Sequence, residues 1–126
     1  MSVTVDLPNL KNTISRYRFA YLMTTNANNA PHAVAVAAVL RGDELIVSSI
    51  GRRSRENALA RPAVSLLWPP ESMSEYSLIV DGQALVAEDS LRIKPTRAVL
   101  HRPAPSPEPS APDACGADCV KLELSA

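Results

Sequence analysis

"LIVSSIGRRSRENALARPAVSLLW", Leu45 to Trp68, runs from an apolar stretch through two serines, a glycine and a cluster of arginines into a second apolar stretch. Both flanks are built from β-formers, so Leu45 to Ile50 and Ala63 to Trp68 read as strands. Between them Gly51 permits a sharp change of direction, and Ser54 to Arg61 reads as one or two helical turns closed by Pro62. Ser54 is placed to cap that helix, with Ala58 and Leu59 facing inward. A strand that ends in small hydroxyls, turns at a glycine and enters a helix through arginines is suited to an anion. Amide N–H groups at a helix N-terminus lack partners, the helix dipole is positive there, and arginine adds paired donors shaped for phosphate oxygens.

The pattern extends in both directions. Upstream, "FAYLMTT" and "HAVAVAAVL" read as two strands about the polar turn "NANNAP", and "RGDE" is a second turn, which makes Leu45–Ile50 the third strand of a meander. Ahead of these, "DLPNLKNTISRYR" places Leu7, Leu10, Ile14 and Tyr17 at helical spacing after a possible Asp6 N-cap, with Pro8 in the first turn. Downstream, "YSLIVDGQALVAED" reads as a long strand with a bulge or bend at Asp81-Gly82. "LRIKPTRAVLH" continues as a strand that Pro95 confines to an edge or breaks. Short strands at regular spacing with an interposed helix predict a small β-barrel with helical plugs, residues 1–104 forming one domain. Residues 105–118, rich in proline, read as a mobile loop or arm, and residues 119–126 resume an alternating pattern, a strand completing the barrel or a dimer.

Composition narrows the function classes. Thirteen Lys and Arg oppose thirteen Asp and Glu in 126 residues, so no global field draws the chain onto nucleic acid or an anionic membrane. Charge acts locally or not at all. No apolar run approaches a membrane span and the N-terminus has no signal-like pattern, which predicts a cytoplasmic protein. Cys115 and Cys119, with three residues between them in "CGADC", lack a second pair or a neighbouring histidine, so no metal site is predicted. No Ser-His-Asp set, paired-carboxylate motif or phosphate-binding P-loop is present, and no side chain is assigned as an acid or base. His32 and His101 read as satisfied or surface residues, and Trp68 and Tyr76 as packing at a dimer seam or a wall for a flat cofactor.

"YLMTTNANNAPHAVAVAAVLRGDELIVSSIGRRSRENALARPAVSLLW", followed at a short interval by "YSLIVDGQALV", resembles the pyridoxamine 5′-phosphate oxidase-like flavin-binding split barrels. The likeness covers about Arg18 to Val86. It implies a mainly β, six-stranded split β-barrel with short helices that forms a homodimer, with FMN at the interface. It also implies that Arg53, Ser54 and Arg55 grip the phosphate with help from Ser49, and that Asn57 matches a recurrent asparagine of the following helix. Backbone groups of Ala35, Val36, Ala37, Val47 and Ser48 would edge the flavin ring. The expected activity is two-electron transfer to a small molecule, with a redox cofactor doing the chemistry that the side chains do not advertise. The deazaflavin F420 is the close alternative, its acidic tail meeting Arg41, Arg61, Arg92 or Arg97. A non-enzymatic cofactor- or haem-binding module is the second class. The C-terminal segment by which pyridoxamine phosphate oxidases proper hold the vitamin is replaced here by the proline-rich stretch, so that vitamin is not the expected substrate.

Overall fold

The computed structural model describes residues 1–104. The proline-rich stretch at 105–118, the expected strand at 119–126, and Cys115 and Cys119 lie outside the described residues. Two long strands, β7 (Ser77–Ala87) and β8 (Ser90–His101), pair antiparallel along their whole length. Six shorter ones complete the sheet: β1 (Ser2–Thr4), β2 (Ala20–Thr25), β3 (Pro31–Val36), β4 (Ala38–Arg41), β5 (Glu44–Val47) and β6 (Ala63–Trp68). The order across the sheet is β3-β2-β6-β7-β8-β5-β4, with β1 added to β8.

The two outermost strands of that order, β3 and β4, are consecutive in the chain and separated by Ala37 alone. Adjacent Cα atoms are about 3.8 Å apart, so one residue cannot span an open sheet seven strands wide. The sheet must therefore curl until its two edges meet at that corner. This corrects the expected count of six strands to eight among the described residues, and it corrects the meander. "HAVAVAAVL" is two strands, the first paired with β2 and the second with β5.

Other expectations hold with local differences. The register between β7 and β8 shifts at Asp81/Gly82, where the bulge was expected. A Cβ on Gly82 would lie 2.6 Å from the Lys94 carbonyl oxygen and 2.7 Å from Ile93 Cγ2, so only glycine allows this approach. Pro95 sits opposite Gly82 and does not break β8. It falls between the stretch of β8 that pairs with β5 (Leu91–Ile93) and the stretch that pairs with β1 (Val99–His101), where its missing N–H leaves no ladder bond unmade. Gly42, at φ 64°, takes the first central position of the β4–β5 hairpin. The N-terminal helix is a 3-10 turn (Leu7–Asn9) running into α1 (Leu10–Ile14), and Asp6 makes no side-chain cap.

Strand alternation builds the interior. Val34, Leu22, Leu66, Val80 and Ala98 are successive cross-strand partners on one inward row, and Leu45, Ile93 and Ala84 form another. Leu22, Leu45, Leu66 and Leu91 are fully buried in this core. Trp68 belongs to it as well, at 2% exposed, and so is neither a dimer seam nor a cofactor wall. With few aromatic side chains available, branched aliphatic residues fill the barrel.

Candidate functional site

The arginine segment lies where β5 ends. Ser48 is exposed, Ser49 takes the left-handed conformation at φ 59°, and the amide of Ile50 donates to the Asp89 carbonyl at 2.8 Å. A left-handed serine is a local strain that its surroundings must hold in place. The helix that follows, α2 (Arg52–Ala60), starts two residues earlier than expected, with Gly51 and not Ser54 at its N-cap. No side chain caps it, and its first turn contains no acidic residue.

The arginines diverge. Residues two apart on a helix point to opposite sides, so the expected convergence of Arg53 and Arg55 on one group does not form. Arg52 pairs with Glu56 at 3.4 Å, both side chains being largely exposed. Arg53 lines a cavity of about 380 Å³ between α2 and the β2–β3 turn, shared with Asn26, Asn28, Glu56, Asn57 and Arg61. Arg55 turns to the other side and donates through Nε to the Glu88 carbonyl at 2.6 Å.

The inward face of α2 carries Ser54, Asn57 and Ala58, all buried, whereas Leu59 is 58% exposed, contrary to its expected inward position. Asn57 is a tie between elements. Its Nδ2 donates to Thr24 Oγ1 at 3.0 Å and to Asn26 Oδ1 at 2.8 Å, which fastens α2 to the end of β2. Arg61 adds a bond from Nε to the Thr25 carbonyl at 2.7 Å. Ser54, at 1% exposed, faces the interior and not the turn.

The backbone groups of the sequence reading fare differently. Ala38 pairs with Val47, which sets Ala37 beside Ser48 at the closing corner of the barrel. Ala35 and Val36 precede it on β3, whose only strand partner among the described residues is β2, so the other edge of β3 is not covered by any described strand. The structure thus brings Ala35, Val36, Ala37, Val47, Ser48 and Ser49 to one corner next to the start of α2. Arg53, Ser54, Arg55 and Asn57 spread over the three sides of the helix.

His32 pairs with Thr24 on β3, and its Nδ1 is buried with no hydrogen-bond partner among the described residues. His101 is exposed at the end of β8, its Nδ1 3.0 Å from Ser2 Oγ. The sequence reading missed a larger cavity, about 780 Å³, at the other end of the barrel. Its residues come from three separate parts of the chain, and nothing in their local patterns announces the meeting.

No protein-family model matches the chain. The uncharacterized proteins Mb0449c of Mycobacterium bovis and MT0457 of Mycobacterium tuberculosis are each 42% identical over 136 residues, covering 95% of this chain and 96% of their own. Among solved structures, a Listeria innocua protein assigned as a pyridoxamine 5′-phosphate oxidase superposes with a TM-score of 0.63 at 16% identity, covering 74% of this chain and 95% of its own. A FAD-binding protein of Mesorhizobium loti gives 0.62 at 15% identity, over 79% and 96%. An F420 reductase gives 0.55 at 16% identity, over 64% and 87%. The haem storage protein HutZ of Vibrio cholerae has the same fold, at a TM-score of 0.54 and 16% identity, over 75% and 94%.

Proposed function

Because the chain has the fold of the pyridoxamine 5′-phosphate oxidase-like split barrels, we propose that it belongs to that family, binds FMN and works as a homodimer. Its activity on this reading is two-electron transfer to a small organic molecule. The phosphate is held at the turn from Ser48 to Arg55, and the ring lies along the corner between β3 and β5.

The observation that supports this most is the first turn of α2. It begins Arg52-Arg53, has no acidic residue, and its amides receive no side-chain cap. Positive side chains at a helix N-terminus oppose the dipole and weaken the helix unless an anion is present. A phosphate there removes the repulsion and satisfies the open N–H groups in one step. Ser49 contributes its hydroxyl, and Arg53 the charge-assisted donor. Arg55, held by the Glu88 carbonyl, acts by its charge at a distance. Backbone groups of Ala35, Val36 and Ala37, along the edge of β3 away from β2, with Val47 and Ser48, edge the ring. Bound FMN supplies the electron-transfer chemistry. The residues of this chain bind, orient and exclude water, and none is assigned a proton-transfer role.

A second reading is F420 in the same groove, favoured by one placement. Of the four arginines suited to an acidic tail, Arg92 pairs with Glu44 and Arg97 with Asp81, while Arg61 lines the same cavity as Arg53. Titrating the purified protein separately with FMN and with F420, following quenching of each cofactor's fluorescence, decides between them. Saturable FMN binding supports the first reading and F420 binding alone the second. Response to neither leaves a scaffold or a haem-binding module on this fold.

A further inference from the structure

The larger cavity lies at the end of the barrel away from α2. Arg16 to Phe19 lead into the start of β2, Pro69 to Tyr76 connect the end of β6 to the start of β7, and Leu100 and Arg102 close β8. The basic turn sits at the other ends of these strands, so the six residues of β2, at about 3.3 Å each, hold the two regions roughly 20 Å apart. At about 780 Å³ the cavity is within the range of small-molecule sites, which runs from roughly 300 to 1,000 Å³.

Its chemistry is specific. Three guanidinium groups, those of Arg16, Arg18 and Arg102, face two carboxylates, Glu71 and Glu75. Arg18 pairs with Glu71 at 3.1 Å, but the two side chains are 83% and 75% exposed, so solvent screens the pair and another anion competes with it readily. Arg16 forms no ion pair among the described residues. Arg102 is fixed in place, its guanidinium carbon 4.6 Å from the centre of the Tyr76 ring and its Nη1 donating to the Ser74 carbonyl at 3.3 Å. Its Nε is buried with no acceptor among the described residues.

The rest of the wall is apolar and flat. Phe19, Tyr76, Pro69 and Pro70 line it, and Tyr17 is locked by a bond from its hydroxyl to the Tyr76 carbonyl at 2.8 Å. Burial pushes the Tyr17 phenol above its ordinary value, so it stays neutral and does not repel an anion. A guanidinium whose Nε is buried with no acceptor among the described residues, held on an aromatic face beside further guanidiniums, matches a planar ring that carries a carboxylate.

We infer that this cavity is a binding site for a small aromatic carboxylate, separate from the basic turn, with Arg102 as the primary anion contact and Arg16 as support. Its carboxylate accepts from the arginines, and its ring packs on Tyr76 and Phe19.

Calorimetric titration of the full chain with 2-naphthoate and with its neutral analogue 2-naphthamide tests this. The expected result is one naphthoate site per chain and naphthamide weaker by about tenfold or more, the loss that goes with a charge-assisted bond. Arg102→Gln is expected to cost naphthoate a similar factor. Arg16→Gln, an exposed position that folding does not depend on, is expected to cost several-fold and stands in if the Arg102 variant fails to fold. Arg53→Ala, at the far end, is expected to leave naphthoate affinity unchanged whatever it does to FMN, so this inference and the flavin reading fail separately. Absence of naphthoate binding, equal binding of the amide, or an Arg16→Gln affinity equal to that of the parent overturns the proposal.

Discussion

The two ends of the barrel solve the same problem in different ways. Each must cover a core of Leu, Val and Ile where the strands stop. At one end α2 lies across the opening, its inward face small and polar, and Asn57 fastens it to β2 through two side-chain bonds. The other end has only the short α1 and a connection of Pro, Ser and Glu, and Leu10 is the residue that drops into the core. A helix with nine residues shields its end closely and leaves the smaller cavity, whereas the second end keeps a recess twice that size. Arginines gather at both. At the helical end Arg52 and Arg53 stand where the dipole disfavours them, and at the open end Arg102 stands on the Tyr76 face, which favours it.

This contrast can be broken at its middle. The bend at Gly82 connects the two halves of β7, and Gly82→Ala forces a Cβ against the Lys94 carbonyl and Ile93. The expected loss is about 2–3 kcal/mol, read from the urea midpoint, and both cavities should lose their ligands together. Removing the tie at the helical end alone is expected to come next. Asn57→Ala leaves buried Thr24 without its donor and should cost about 2 kcal/mol. Hydrogen exchange should rise in α2 and not around Tyr17.

Arg53→Ala sharpens the comparison without a loss of stability. FMN affinity should fall by about 1.5–3 kcal/mol, measured by fluorescence quenching, while the urea midpoint of the cofactor-free chain rises slightly because one opposing charge leaves the helix N-terminus. Arg55→Ala should lower it less, because that side chain is already engaged by Glu88. At the open end the smallest effect belongs to Tyr17→Phe, which removes one bond to the Tyr76 carbonyl for about 1 kcal/mol. Burial raises the Tyr17 phenol above its ordinary 10.0, so the folded chain keeps a proton that the unfolded chain has released. Stability should therefore fall as pH rises above about 10, and the Phe variant should lose less over that range in thermal melts.

Much of this was readable in the residues themselves. Asp81-Gly82 announced the bulge because glycine inside a strand pattern rarely has another reason to be there. The strand, turn, helix, strand order from Leu45 to Trp68 was legible because the apolar period changes twice and Pro62 marks the helix end. The break at Ala37 was not, since "HAVAVAAVL" stays apolar after its histidine, its alternation slips only by the Ala37-Ala38 pair, and no Gly or Pro marks the corner. Trp68 was misplaced for a similar reason: alternation says that it faces one side of β6, but not that this side is the interior. Arg53 and Arg55 were read as neighbours because the helix was expected to begin between them, at Ser54. Starting it at Arg52 turns a spacing of two into opposed directions. The open-end cavity joins Arg16 and Arg18 to Arg102 across more than 80 residues, and such a meeting is set by topology and not by local pattern.

The single residue between β3 and β4 has a kinetic consequence. These strands are made one after the other, yet they can take their places only when the five strands between them in the sheet are already laid side by side. The seam is thus the last part to set: β3 pairs locally with β2 and β4 with β5, and the inner edges of these two hairpins wait for β6 and β8, more than forty positions further on. A delay in forming β8 would leave the inner edge of β5 open, which makes that edge the place to look for aggregation during synthesis.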